Sequence, residues 1–130
     1  MQDRKIIINK VVRYLLDKGY SISNIYVDYK LQSICADIVV IDEKTGLVML
    51  VFEIKDNLIK GRKAGIETLY KLEKLLGYEI VKYFVYPNDN NEYGFNIEVI
   101  ISPKYSDGIL NELQDGIISI DKIKEVQPYK

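Results

Sequence analysis

Two segments decide the fold of this chain: Ala36-Asp37-Ile38-Val39-Val40-Ile41-Asp42 and, after a short turn, Leu50-Val51-Phe52-Glu53-Ile54-Lys55. Both are apolar at nearly every position, which is typical of strands that are covered on both faces of a sheet. Residues 42–46 between them predict a hairpin loop. A hairpin brings the acid of the first segment toward the Glu-x-Lys of the second. Charge at the edge of a hydrophobic sheet is costly, so this grouping indicates a functional site.

The segments around this hairpin predict an α/β domain with a mixed sheet flanked by helices. Apolar residues at helical spacing predict helices over 4–18 and 63–76, with a polar loop over 56–63. Runs of β-branched and aromatic residues predict strands over 25–29, 36–42, 47–55, 78–86 and 94–101. We interpret residues 1–130 as one domain with its core in about 3–87. Residues 88–130 then add a strand and a short C-terminal helix over 106–113.

Composition excludes several kinds of chemistry. The 130 residues contain no histidine and one cysteine, so His-based triads, His-ligated zinc and an internal disulfide are excluded. Any metal must then be a hard cation held by oxygen, such as Mg²⁺ or Mn²⁺. The net charge of −1 does not by itself indicate a nucleic-acid partner. We expect a cytoplasmic protein with no membrane partner, because no apolar run approaches the ~20 residues of a membrane span.

The proposed site depends on the register of the hairpin. Glu53 and Lys55 lie two residues apart in one strand, so their side chains share a face. An odd loop pairs Asp37 with Val51 or Glu53 and puts it on that face, whereas an even loop without a bulge puts it on the other. In the matching register Asp37, Glu53 and the carbonyl of Ile54 form an oxygen ligand set for a divalent cation. Lys55 would then lie beside a metal-bound water or a phosphate.

These residues resemble the PD-(D/E)xK nuclease superfamily, most closely the N-terminal nuclease domain of type I restriction enzyme motor subunits. The resemblance covers about residues 3–87. It rests on Ala36-Asp37-Ile38-Val39-Val40, Glu53-Ile54-Lys55, and a following helix with Glu67-x-x-Tyr70 and Leu76-Gly77. It implies a restriction-endonuclease-like αβββαβ core and Mg²⁺-dependent hydrolysis of DNA. It also implies Asp37 and Glu53 as metal ligands and Lys55 as the catalytic lysine. Ala36 stands where the motif is named for proline.

Several further residues have two interpretations each. Glu67 is either an accessory acid or half of an i,i+4 pair with Lys71, and Asp3 is either an accessory acid or a helix cap. Lys60, Arg62 and Lys63 either bind phosphates or are simply solvated.

The function has alternatives too. We expect a DNA nuclease of the restriction type that acts as a homodimer or with restriction-complex subunits. A noncatalytic nucleic-acid-binding or scaffolding module on the same fold is the second hypothesis. An unrelated interaction domain, with Asp37 pointing away from Glu53, is the third.

Overall fold

The computed structural model describes residues 4–55 and 58–101, with side chains for all of these except 58–60. The α-helices are α1 (Arg4–Asp17) and α2 (Leu58–Leu76), and a short 3₁₀ turn spans Ile22–Asn24. The strands are β1 (Ile25–Leu31), β2 (Ile34–Ile41), β3 (Val48–Ile54), β4 (Val81–Pro87) and β5 (Phe95–Ile100). They form one sheet in the order β1-β2-β3-β4-β5. β3 and β4 are parallel and all other neighbours antiparallel, so the predicted α/β class and mixed sheet are confirmed.

One prediction about the elements is wrong. α2 begins at Leu58, so the predicted loop over 56–63 is helical from that residue onward. The loop is predicted from a polar run that carries Lys60, Arg62 and Lys63. Gly61 in the same run also disfavours a helix, by about 1 kcal/mol relative to alanine. Here close packing against the sheet overrides that preference, as described below. The predicted Asp3 cap, the start of that loop and the helix over 106–113 lie outside the described residues.

The sheet separates two hydrophobic layers, one under each helix. Alternate β3 side chains enter opposite layers: Leu50, Phe52 and Ile54 pack on the α1 side, and Val51 packs on the α2 side. This confirms that β3 is covered on both faces, as its nearly continuous apolar sequence predicts. Among the described residues, no helix combines the length and the apolar composition that crossing a membrane requires.

A β-bulge sets the register of the β2–β3 hairpin. The first pair after the loop is Ile41↔Val48, and the next is Val40↔Leu50, so Met49 is an extra residue on β3. The loop between Ile41 and Val48 has six residues, which is the even length that would turn Asp37 to the wrong face. The bulge compensates for the even loop, because one added residue on β3 moves every side chain beyond it to the opposite face of the sheet. Asp37 is thereby in register with Glu53. Of the alternatives that the sequence left open, the structure thus has an even loop with a bulge, which gives Asp37 the same register as an odd loop would.

A second irregularity lies in the β1–β2 hairpin. Regular pairs occur on both sides of one position, at Val27↔Ile38 and Tyr29↔Ala36, but Asp28 and Asp37 are not paired in the ladder. Asp28 has φ of 54°, a left-handed conformation that aspartate tolerates better than most residues. The alternation of faces breaks at the same point. The two strands therefore bend where the two acids lie.

Candidate metal and catalytic site

Asp37 reaches the end of β3 through its side chain. Its Oδ2 accepts a hydrogen bond of 2.6 Å from the backbone N–H of Ile54. This bond follows the last regular rung of the β2–β3 ladder, Ile38↔Phe52. In an extended strand the N–H and C=O of one residue point toward the same neighbour, so we expect the Ile54 carbonyl to face Asp37 as well. Two predicted metal-binding groups are thus brought together.

Glu53 lies just before this point and is almost completely buried, with 5% of its surface exposed. Its Oε2 lies 3.5 Å from Nζ of Lys55, and the Lys55 side chain is about one-third exposed. Its Oε1 is buried and has no hydrogen-bond partner among the described residues. A buried carboxylate oxygen without a partner is costly, since the great majority of buried polar atoms are hydrogen-bonded. This oxygen is therefore available to a ligand.

The electrostatic environment confirms that the predicted charges lie close enough to interact. The pKa of Glu53 is raised from 4.5 to about 7, mainly by burial and next by the negative charge of Asp37. Lys55 opposes this shift through its charge and its hydrogen bond, and the charge of Arg4 opposes it more weakly. Near pH 7 the Glu53 carboxyl is consequently close to half ionised in the metal-free protein. A carboxyl tuned to that range is typical of functional sites.

Arg4, in the first turn of α1, was not predicted and contacts the site from the other layer. Its Nη2 donates to Oδ1 of Asp37, and the same nitrogen lies 2.7 Å from Oδ1 of Asp28 on β1. The hydrogen bond to Asp37, followed by that to Asp28, raises the pKa of Arg4 further above its usual range. Both oxygens of Asp37 therefore have a donor, namely Arg4 and the Ile54 N–H.

Two glycines allow α2 to pack directly on the site. A Cβ built on Gly61 would lie 2.6 Å from Cβ of Lys55. A Cβ built on Gly65 would lie 2.7 Å from the ring of Phe84 and 3.4 Å from Cγ of Glu53. Glycines at i and i+4 lie on one face of a helix, so at these two positions no side chain separates the helix from the sheet. The stems of Glu53 and Lys55 are consequently enclosed by the α2 backbone.

Two further predicted residues are exposed on α2, and two others lie wholly or partly outside the described residues. Glu67 and Lys63 are exposed on α2. In the described part of the chain Glu67 forms no ion pair, so the predicted pair with Lys71 is not present, and its role as an accessory acid stays a prediction. Lys60 belongs to the first turns of α2, and its side chain lies outside the described residues, as does all of Asp3.

Arg62 of α2 has a buried partner. It forms an ion pair with Oε2 of Glu98 on β5, a residue with no exposed surface. Glu98 is paired in the sheet with Phe84, and Phe84 is paired with Glu53 on its other side. The Phe84 ring position therefore lies between two buried carboxylates of neighbouring strands. Phosphate binding by Arg62, Lys63 and Lys60 stays a prediction.

The residues at this site fit a divalent cation bound by oxygen, but they offer few side-chain ligands for it. A cation would give the orphaned Oε1 of Glu53 a partner and offset two buried negative charges. No group of three or more His, Cys, Asp or Glu side chains that could hold a metal occurs within residues 4–55 and 58–101. The ligand set must therefore combine two carboxylates with a backbone carbonyl, as predicted with Ile54, and water.

Sequence reasoning missed Arg4, Asp28 and Glu98. All three are polar residues whose partners lie 24 to 36 positions away in the chain. The most informative signal for Glu98 was a charge in an otherwise apolar strand, which indicates a partner when the strand is buried. No family model matches this chain, and comparison with curated proteins and with solved structures finds no similar protein.

Proposed function

We propose that this chain is a Mg²⁺- or Mn²⁺-dependent nuclease that hydrolyses DNA phosphodiester bonds, on a restriction-endonuclease-like core. The observation that carries the proposal is the convergence of three predicted groups. Glu53 contacts Lys55, Asp37 bonds the backbone between them, and the pKa of Glu53 responds to both charges. A divalent cation bound by Glu53 would also give its buried Oε1 the partner that this oxygen lacks among the described residues.

The element order supports the same assignment. From α1 to β4 the chain runs helix, three strands, helix, strand, which is the αβββαβ order that the resemblance to PD-(D/E)xK nucleases implies. The acid of β2 and the Glu-x-Lys of β3 lie at the corresponding elements. The parallel passage from β3 through α2 to β4 also agrees with that core.

In this proposal Asp37, Glu53 and the Ile54 carbonyl hold the cation, and Lys55 holds the reacting water or phosphate. When bound, a divalent ion lowers the pKa of water and offsets the charge on the phosphodiester. Lys55 suits its role because its ammonium is partly exposed at the end of β3, while its stem is enclosed by α2 at Gly61. Its positive charge stabilises the negative charge that develops on phosphate oxygens during attack.

Cleavage assays test the proposal directly. Supercoiled plasmid and single-stranded DNA are incubated with Mg²⁺, Mn²⁺ or Ca²⁺, and the products are followed on gels. We expect cleavage by the unaltered protein with Mg²⁺ or Mn²⁺. Lys55→Ala and Glu53→Gln should each lower the rate at least about a hundredfold. Lys74→Ala, which removes an exposed lysine in the last turn of α2 to which no role is assigned, is the matched control for loss of one positive charge.

Two results would contradict the proposal. Cleavage that persists in Lys55→Ala would indicate a contaminating nuclease and remove the role given to this lysine. The absence of both cleavage and metal binding at millimolar Mn²⁺ would leave the second hypothesis. Circular dichroism and thermal unfolding of each variant show whether a lost activity reflects a lost fold.

The second hypothesis, a noncatalytic nucleic-acid-binding or scaffolding module on the same fold, has one specific observation in its favour. Both Asp37 oxygens already have donors, one of them the charged Arg4. A site that no longer binds metal would keep such a pairing. DNA binding that is insensitive to EDTA, together with the absence of cleavage, would support this function.

The proposal includes partners. One centre cuts one strand, so cleavage of duplex DNA requires a homodimer or a restriction-complex subunit that supplies the second cut. Sedimentation velocity with and without duplex DNA measures self-association. A monomer that nicks plasmid without linearising it would agree with the single centre and assign the second cut to another protein.

A further inference from the structure

Arg4 lies where a cation is expected, at a point on which two carboxylates converge. One nitrogen of its guanidinium contacts oxygens of both Asp28 and Asp37. Asp37 is nearly buried, with a side chain 10% exposed, whereas the side chains of Arg4 and Asp28 are 43% and 58% exposed. The arginine is therefore bound to one buried and one solvated acid, and it has a path to solvent.

The position of Arg4 on its helix supports a specific role for this contact. It lies in the first turn of α1, where the helix dipole disfavours a positive charge. The two acids offset that cost. The left-handed backbone of Asp28 is a further cost, which persists only where the surroundings determine it. Two locally unfavourable features thus coincide in one contact at the predicted metal ligand.

We infer that Arg4 is an internal counter-ion which competes with the divalent metal for Asp37, and that Asp28 is the residue to which Arg4 stays bound when the metal takes its place. This inference rests on the proposed metal site. Arg4 and Asp28 are positioning residues in it, because neither contacts substrate or metal. In the metal-free protein Arg4 neutralises the buried Asp37. In the metal-bound protein Arg4 stays bound to the exposed Asp28.

The geometry gives opposite signs for the two residues. Without Arg4, Asp37 has no competing charged partner, so the metal binds more tightly. Without the charge of Asp28, Arg4 has Asp37 as its only carboxylate partner among the described residues, so the metal binds more weakly. If Arg4 instead only oriented Asp37 for the metal, its removal would weaken binding. If Asp28 were itself a ligand, its removal would weaken binding whether or not Arg4 is present.

Mn²⁺ titration in the absence of DNA tests the inference, with free Mn²⁺ followed by EPR or the heat by calorimetry, at 0.15 M salt. Partly exposed ion pairs are worth up to about 1 kcal/mol, which corresponds to about fivefold in affinity. We expect Arg4→Gln and Arg4→Met each to bind Mn²⁺ about fivefold more tightly, and Asp28→Asn to bind a few-fold more weakly. Arg13→Gln, the same charge change at an exposed position of α1, should change the affinity less than about twofold.

The double variant Arg4→Gln/Asp28→Asn completes the cycle. We expect its affinity to equal that of Arg4→Gln, because Asp28 acts through Arg4. Unchanged or weaker binding in Arg4→Gln would overturn the inference, and so would an equal loss on adding Asp28→Asn in both backgrounds.

The titrations distinguish failure of this inference from failure of the proposed function. Binding that requires Glu53 but is indifferent to Arg4 leaves the metal site standing and removes the inference alone. Absence of Mn²⁺ binding in the unaltered protein and in Arg4→Gln removes the metal site and the inference with it. Binding that appears only in Arg4→Gln supports the inference, and it indicates that the unaltered site is held closed.

Discussion

Gly65 of α2 lies so close to Phe84 of β4 that a Cβ added to the glycine would come within 2.7 Å of ring atom Cε1. The same Cβ would lie 3.4 Å from Cγ of Glu53. The helix thus contacts the sheet by its backbone at the level of the predicted site. This contact makes the position of the helix part of the site's geometry.

Gly65→Ala should therefore destabilise the protein although alanine is the better helix former. Overpacking of this kind costs about 1–3 kcal/mol, which exceeds the gain of about 1 kcal/mol in helix propensity. Urea unfolding followed by circular dichroism measures the difference. Ala64→Gly at the exposed neighbouring position is the control. There propensity alone acts, and we expect a loss of about 1 kcal/mol. Stabilisation by Gly65→Ala would show that Phe84 moves aside at no cost.

The raised pKa of Glu53 predicts how stability changes with pH in the metal-free protein. A carboxyl with a pKa near 7 when folded and 4.5 when unfolded binds more protons in the folded state between these values. Stability is therefore full below about pH 4.5 and falls as the pH rises through 7, by about 2–3 kcal/mol from this group. Glu53→Gln should remove that part of the fall. Denaturant titrations of both proteins from pH 5 to 8 in EDTA provide the comparison, and parallel curves would contradict the assignment.

Metal binding should release a proton at mildly acidic pH, since the cation requires the ionised form of Glu53. At pH 6 the carboxyl is mostly protonated, so we expect Mn²⁺ binding to release close to one proton and to tighten as the pH approaches 7. Calorimetry in two buffers of different ionisation enthalpy counts the protons. A count near zero at pH 6 would indicate that the ion does not bind through Glu53.

Another buried ion pair, between Lys82 and Glu73, lies toward the opposite end of the sheet and should affect stability without affecting the site. Nζ of Lys82 lies 2.7 Å from Oε2 of Glu73, and both side chains are largely buried. Lys82→Met removes the ammonium that neutralises the largely buried Glu73 carboxylate and should cost about 3 kcal/mol. The double variant Lys82→Met/Glu73→Gln should cost clearly less, because no buried charge remains. Chemical denaturation measures both, and unequal DNA cleavage per folded molecule would contradict the separation of the two regions.

The sequence predicted the sheet and the central trio because their signals are local. A nearly continuous apolar run identified β3, and the alternation of side chains placed Glu53 and Lys55 together. Nζ of Lys55 lies 3.5 Å from Oε2 of Glu53, in agreement with this alternation, and the charge of Lys55 lowers the pKa of Glu53. The two strands of a hairpin are close in sequence, so the approach of Asp37 to Glu53 could also be predicted.

The start of α2 and the role of Arg4 could not be predicted in the same way. The buried face of α2 at Gly61 and Gly65 carries no apolar side chain, so it gives no hydrophobic periodicity. Arg4 acts through partners on β1 and β2 that only the tertiary fold brings near α1. A bulge such as that at Met49 shifts the strand pairing by one residue without a change in composition, so the sequence pattern does not reveal it.

The extra residue at Met49 also has a consequence for how the chain reaches its native state. A hairpin that closed without it would extend the Ile41↔Val48 pairing and set Asp37 opposite Phe52. In that register the strands still pair through their backbones, but the side chains of Asp37 and Glu53 lie on opposite faces of the sheet. Asp37 then lies among apolar side chains, on the face of Phe52. The register with the bulge at Met49 is therefore the one that keeps Asp37 beside Glu53, and the cost of burying an unpaired carboxylate disfavours the register without it.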